Sequence, residues 1–151
     1  MFRGADTINL DGKGRFSIPT KHRDVLREHC DSQLVVTKHR DRCLILYPLP
    51  EWEKVERKLA DLPSLNDPAM ALKRFMLGNS AQCDMDSHGR ILIPERLRSF
   101  ARIEKRLVLS SQVDKFEVWA ESAWEGTVNA LMDLSKEKLD ELKQVAGDIV
   151  F

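Results

Sequence analysis

The chain of 151 residues is long enough for one ordinary domain, or for two small halves that share a core. Its 24 Lys and Arg residues balance 24 Asp and Glu residues, so any attraction to an anion must come from a local basic patch. The opening residues contain no apolar run of signal-peptide length, and no stretch approaches the roughly 20 apolar residues of a membrane span. We therefore expect a cytoplasmic protein without a membrane partner.

Two short segments of the chain repeat each other. LDGKGRFSIP runs from Leu10 to Pro19 and MDSHGRILIP from Met85 to Pro94, with Asp, Gly, Arg, Ile and Pro in the same places. The match continues further along, where LVVT corresponds to LVLS and YPLPEWE to WAESAWE. Such self-similarity predicts two halves that share one order of secondary-structure elements.

Each half predicts, in chain order, a strand, a Gly-bearing turn, a second strand that Pro ends, an amphipathic helix and an apolar hairpin. In the first half these segments are Thr7–Leu10, DGKG, RFSI, TKHRDVLREH, and LVVT with CLILY. In the second half they are Gln82–Met85, DSHG, RILI, ERLRSFARI, and LVLS with FEVW. Because each half buries little apolar area alone, we expect the two to intertwine into one β-rich core.

Helices are predicted after each hairpin, so the fold class is α+β with flanking helices. The first, PEWEKVERKLADL, has Pro50 in its first turn, and the next, DPAMALKRFML, has Asp67 as its predicted N-cap. The chain ends with SAWEGTVNALMDL and SKEKLDELKQVAG. Aromatic residues that recur with the repeat are predicted to lie in the core: Trp52, Trp119 and Trp124.

The repeated turn carries the candidate binding residues. Asp and Arg lie four positions apart, so the carboxylate can cap the turn's amides or accept from the guanidinium. Either contact holds the arginine in a fixed direction, and its planar fork suits a phosphate or the edge of guanine. The candidate DNA-binding residues are Asp11, Lys13, Arg15, Asp86, His88 and Arg90.

A simpler reading is that the Asp–Arg pair only pins the turn, since most surface ion pairs contribute little. Further basic residues crowd the start of both halves, which favours an electrostatic footprint for an anion. These are Arg3, Lys21, His22, Arg23, Arg96, Arg98 and Arg102. For the helix arginines among them, a solvated basic face is favoured over direct contact.

A calcium loop is an alternative reading of DMDSHGRILIPE. Five residues fall at positions 1, 3, 5, 6 and 12 of that pattern: Asp84, Asp86, His88, Gly89 and Glu95. However, His88 replaces an oxygen ligand, Pro94 precedes the glutamate, and the sister segment ends in Thr20. We therefore expect no metal site and no cofactor.

The sequence also lacks the signatures of an enzyme. Cys30, Cys43 and Cys83 are widely spaced and form no CxxC pair, so we interpret them as reduced, buried thiols. No nucleophile motif, P-loop or dinucleotide fingerprint is present. We predict that the protein is not an enzyme.

The segments MFRG, LDGKGRFSIP, LYPLPEWE and MDSHGRILIP resemble the MraZ family, bacterial transcriptional regulators associated with the division and cell-wall gene cluster. This family belongs to the AbrB-like, swapped-hairpin group. The resemblance implies two SpoVT-AbrB-like modules, at residues 5–52 and 81–124, joined by a helical connection at 53–80. It further implies an intrachain pseudo-dimer with a β-barrel-like core, followed by a helical segment at 125–151.

The same resemblance implies a sequence-specific regulator, with repression as the expected sign, that acts on this gene cluster and on its own promoter. Repeated G-containing sites in double-stranded promoter DNA would be bound through Asp11 with Arg15 and Asp86 with Arg90. Ring-shaped homo-oligomers, a nucleoid location and no small-molecule substrate are also implied. The alternative is a ring-shaped interaction scaffold that does not read DNA. An AbrB-like antitoxin is a narrower variant, which the long second half disfavours.

Overall fold

Eight strands and six α-helices follow one another in the computed structural model, which describes all of residues 1–151. The elements are β1 (Ala5–Asn9), β2 (Arg15–Ser17), α1 (Thr20–Cys30), β3 (Leu34–Lys38), β4 (Leu44–Pro48), α2 (Leu49–Ala60), α3 (Asp67–Gly78), β5 (Ala81–Gln82), β6 (Arg90–Leu92), α4 (Glu95–Phe100), β7 (Arg106–Ser111), β8 (Phe116–Ala120), α5 (Glu121–Val128) and α6 (Lys136–Ala146). A short 3₁₀-helix at Ala130–Asp133 precedes α6. The chain divides into two compact units, Met1–Glu121 and Ser122–Phe151.

The first unit is built on a six-stranded antiparallel sheet in the order β1-β7-β8-β4-β3-β5. The opening strand of each half pairs with a strand of the other half, β1 with β7 and β5 with β3. A separate two-stranded ribbon joins β2 of the first half to β6 of the second. The fold is thus α+β, as predicted, but its sheet is open. The β-barrel-like core must be corrected in this respect: β1 and β5 lie at opposite edges and do not pair, so no barrel closes.

Apolar side chains cover both faces of the central strands, which explains their unbroken apolar sequences. Leu34 and Val36 face the larger core, which also receives Phe16 and Ile91 from the ribbon. Val35, between them, faces the opposite side, where α2 and α3 pack against the sheet. The ribbon is therefore fastened to the sheet through buried side chains, and this fixes the position of the turns at its ends.

Two of the three tryptophans lie in the core. Trp52 and Trp119 are 3% and 5% exposed, as predicted. Trp124 is only half-buried, because it lies on α5, a helix that has no buried residue. The prediction of a core position was wrong for Trp124.

The remaining differences from the sequence predictions are local. Asn66, rather than Asp67, caps α3, since the Asn66 side chain accepts a hydrogen bond of 2.9 Å from the Ala69 amide. Strand β5 stops at Gln82, and beyond it the Cys83 amide donates to the Leu34 carbonyl outside regular pairing. The predicted helix SAWEGTVNALMDL is divided between α5 and the 3₁₀-helix.

Candidate nucleic-acid interface

The first turn, residues 11–15, is held by one carboxylate. Asp11 Oδ1 accepts from the amides of Lys13 and Arg15 at 2.8 and 2.9 Å, and Oδ2 accepts from Arg15 Nε at 2.8 Å. Backbone bonds between Asp11 and Arg15 and from Gly14 to Asp11 close the turn. Gly14 takes a φ of +83°, which favours a residue without Cβ. Because Nε is occupied, the two terminal nitrogens of Arg15 remain to meet a ligand.

The second turn, residues 86–90, repeats this geometry. Asp86 Oδ1 accepts from the amides of His88 and Arg90, each at 2.9 Å, and Oδ2 accepts from Arg90 Nε at 3.1 Å. Gly89 has a φ of +78° and donates its amide to the Asp86 carbonyl. Both predicted Asp–Arg contacts are therefore present in the structure, each as a cap on the turn and as an ion pair.

These hydrogen bonds stabilise the ionised carboxylates. The Arg15 amide, with help from the Arg15 side chain and the Lys13 amide, lowers the pKa of Asp11 from 3.8 to about 2. The Arg90 amide is likewise the main cause that lowers the pKa of Asp86. Each turn therefore keeps a negative carboxylate behind its arginine throughout the physiological range of pH.

The ribbon presents both arginines on one face. Arg15 pairs with Leu92 and Ser17 with Arg90 across the two strands, and directly opposed side chains share a face. The intervening pair of Phe16 and Ile91 points into the core, so the face with the arginines is directed outward. Arg15 lies two positions from Ser17, the residue opposite Arg90, which corresponds to about 7 Å along the ribbon.

The remaining two candidates, Lys13 and His88, lie at the tips of the turns. Lys13 and His88 occupy matching places at the tips of the two turns, and both are exposed. Their amides are fixed by Asp11 and Asp86, and no ion pair holds either side chain. The Lys13 ammonium is free to approach an anion beside the arginines, and His88, whose Nδ1 lies 3.5 Å from Ser87 Oγ, keeps its Nε2 available for one.

The wider basic residues divide into two groups. His22 belongs to neither group, because it is buried in the core against Phe2 and Phe116. The first group lies on the surface: Lys21 Nζ lies 3.1 Å from an Asp6 oxygen, and Arg96 is exposed. Arg23 and Arg98 instead turn inward and are half-buried against the repeated turns. The sequence had predicted a solvated face for these two arginines, and their contacts with the turns were not foreseen. Arg23 and Arg98 occupy matching places in the repeat, but nothing in the sequence indicated which turn each one covers.

The calcium reading finds no support in the geometry. No group of three or more His, Cys, Asp or Glu side chains is arranged to hold a metal ion. The oxygens of Asp86 are used by the turn, and Asp84 Oδ1 accepts from the Leu34 amide and from Gln82. These carboxylate oxygens therefore already accept hydrogen bonds from donors of the protein.

The three cysteine thiols are poorly suited to nucleophilic chemistry. The three cysteines are free and buried, and burial raises the pKa of Cys43 and of Cys83 to about 12. A thiol in this state is a poor nucleophile.

None of the helices has both the length and the apolar character needed to cross a bilayer.

Comparison with known proteins gives consistent matches along the chain. A family model described as "MraZ protein, putative antitoxin-like" matches residues 1–75 and again residues 76–145. The transcriptional regulator MraZ of Methylococcus capsulatus is 47% identical over 152 residues, covering 100% of both chains. The protein of the same name from Halorhodospira halophila is 52% identical over 83% of each chain. That of Pseudomonas aeruginosa is 47% identical over 86% of this chain and 87% of its own.

Proposed function

The chain belongs to the MraZ family, and from this premise we propose that it is a sequence-specific DNA-binding regulator of transcription. The observation that carries the proposal is the pair of arginines on the outer face of the ribbon, each fixed by its own carboxylate. A fixed guanidinium loses less side-chain entropy on binding, and its two free terminal nitrogens match the N7 and O6 acceptors of guanine.

The dimensions of the ribbon support binding in the major groove. A groove about 12 Å wide accepts a two-stranded β-ribbon. The offset of about 7 Å between the arginines corresponds to about two base-pair steps of 3.4 Å. In this proposal Arg15 and Arg90 contact base edges, Lys13 and His88 contact phosphates, and Asp11 with Asp86 hold the arginines in place.

We assign the fold to an intrachain pseudo-dimer of two swapped-hairpin modules, at residues 5–52 and 81–124. The exchange of opening strands between the halves supports this assignment, since β1 and β5 each complete the hairpin of the other half. Residues 53–80 would connect the modules, and 125–151 would form a C-terminal helical segment.

Assembly would supply the affinity that two turns lack. Specific DNA complexes usually depend on many phosphate contacts, and one chain offers few. A ring of identical chains that engages repeated promoter sites would gain from effective concentration. We therefore propose a homo-oligomeric, nucleoid-associated cytoplasmic protein that represses the division and cell-wall gene cluster and its own promoter. The proposal includes no enzymatic activity, cofactor or small-molecule substrate.

The decisive experiment is a binding titration on the DNA upstream of the protein's own gene, with Arg15→Ala and Arg90→Ala. Loss of one bidentate guanine contact costs about 1–3 kcal/mol, or about 5- to 150-fold in affinity. We expect Arg15→Ala to weaken sequence-specific binding by at least this factor, and Arg90→Ala to weaken it to a smaller extent. The matched control is Arg57→Ala, which removes an exposed arginine from α2.

The controls separate this function from the alternative. Each variant is first checked for native circular dichroism, and wild-type binding should weaken steeply as salt rises. Wild-type affinity in both folded turn variants would refute the proposal. Light scattering that shows the same assembly with and without DNA, together with no sequence preference, would favour the scaffold.

A further inference from the structure

Each turn is covered by an arginine from the other half of the chain. A Cβ built on Gly14, in the first turn, would lie 2.5 Å from Cζ of Arg98, which belongs to α4. A Cβ built on Gly89, in the second turn, would lie 2.6 Å from Cδ of Arg23, which belongs to α1. The two contacts are equivalent under the repeat, and both cross between the halves.

Both covering arginines are fixed in the same way. Arg98 Nε donates to the Ile93 carbonyl at 3.0 Å, and Arg23 Nε donates to the Ile18 carbonyl at 2.7 Å. Each accepting carbonyl lies one residue beyond the ribbon strand of its own half. Each arginine therefore bridges the end of its own ribbon strand and the glycine of the opposite turn.

Ion pairing does not account for this arrangement. The ion pairs of the structure include neither Arg23 nor Arg98, although Lys21 on the same helix as Arg23 pairs with Asp6. A half-buried guanidinium without a carboxylate loses hydration and gains only one carbonyl acceptor. Its duplication in both halves indicates a role in the turn that it covers.

We propose that Arg98 and Arg23 are positioning residues that act across the halves, Arg98 on Arg15 and Arg23 on Arg90. The flat guanidinium rests on the glycine backbone and blocks the movement of the peptides that the Asp–Arg pair caps. This second restraint adds to the Asp–Arg pair, whose members Asp11 and Arg15 are 37% and 30% exposed, because a pair at the surface does not by itself hold the turn rigid. The effect on DNA binding rests on the proposed function, whereas the restraint on each turn does not.

The first test measures the turns without DNA. Hydrogen exchange or ¹⁵N relaxation would follow the amides of Gly14 and Arg15 in the first turn and of Gly89 and Arg90 in the second. In Arg98→Ala we expect exchange to rise about 10-fold in the first turn only, which corresponds to about 1.4 kcal/mol. In Arg23→Ala the rise should appear in the second turn only.

Two further variants keep this test decisive. Arg96→Ala removes an exposed arginine from the same helix as Arg98 and should change neither turn. Arg98→Lys keeps the charge and most of the stem, so it serves if Arg98→Ala fails to fold. It should still loosen the first turn, because lysine has no flat group to cover Gly14. The proposal would be overturned if exchange stayed unchanged in the first turn of the Arg98 variants or in the second turn of Arg23→Ala. Equal loosening of both turns by one variant would also overturn it.

The second test separates positioning from direct phosphate contact. Positioning predicts that Arg98→Lys weakens binding to promoter sites, while its salt dependence and its affinity for unrelated DNA stay at wild-type values. A direct contact predicts instead that lysine preserves binding, and that alanine weakens all sequences and reduces the salt slope by about one; either result would overturn the role in readout. If each variant loosens only the turn of the other half but the wild-type protein binds no DNA specifically, the restraint on the turns is supported and the proposed function is refuted. Specific DNA binding without that pattern would refute this inference alone.

Discussion

The substitution Gly14→Ala measures how far the first turn depends on a residue without a side chain. At a φ of +83° a Cβ is strained by about 1–2 kcal/mol. The new methyl group would also displace the guanidinium of Arg98, whose Cζ lies 2.5 Å from the position of that Cβ. The displaced side chain is flexible and regains water, but it gives up its bond to the Ile93 carbonyl, about 1 kcal/mol. We expect a total loss of about 2–3 kcal/mol in the free energy of unfolding.

Gly12→Ala provides the matched control within the same turn. A Cβ on Gly12 meets no atom within 4 Å, and Gly12 is not among the residues of positive φ. Both substitutions reduce the entropy of the unfolded chain to a similar extent, so their difference reports the strain and the contact. Urea unfolding at one fixed protein concentration gives the free energies, and the difference in Tm should be about 4–12 °C. If the free energies of unfolding of the two variants agree within about 0.5 kcal/mol, neither the backbone strain at Gly14 nor its contact with Arg98 contributes as expected.

Three predictions concern titratable groups. Because the folded pKa of Asp11 is about 2, below its usual 3.8, its carboxylate stabilises the turn above about pH 4, and this contribution is lost as pH falls through about 2. Acid unfolding followed by circular dichroism should therefore be steeper for wild type than for Asp11→Asn between pH 4 and 2, and parallel curves would count against the ion pair. Burial lowers the pKa of His22 below 6.5, so the unfolded chain binds the extra proton and stability should fall as pH drops through about 6.5. The loss of Tm from pH 7.5 to 5.5 should be larger in wild type than in His22→Gln. Since burial raises the pKa of Cys43 and Cys83 to about 12, a disulfide reagent at pH 8 should modify them far more slowly in the folded protein than in urea, and equal rates would contradict their burial.

The order of the elements could be predicted because the repeat and the apolar periodicity are local features. Turn signals such as DGKG and DSHG, and Pro after each ribbon strand, placed nearly every boundary within a few residues. The cap of α3 was misplaced by one residue because Asn66 and Asp67 are both good N-cap residues. Only the geometry of the chain decides which of the two accepts from the Ala69 amide.

The pairing of the strands could not be predicted from local sequence patterns. Intertwining could be inferred from the small size of each half, but the pairing of β1 with β7 and of β5 with β3 depends on contacts far apart in sequence. For the same reason the Asp–Arg contacts, four residues apart, were predictable, whereas the contact of Arg98 with Gly14 was not. Residues 84 positions apart leave no periodic signature, and the two glycines were interpreted only as turn residues.

The antiparallel register of the ribbon also bears on how such a protein can diverge. In a homodimer of one module, any substitution is copied onto both sides at once. Here a single polypeptide carries both copies, and their outward residues already differ, with Leu92 opposite Arg15 and Ser17 opposite Arg90. A substitution can therefore change the surroundings of one arginine while those of the other stay as they are. Under the proposed function, the operator that this ribbon binds does not need to be palindromic.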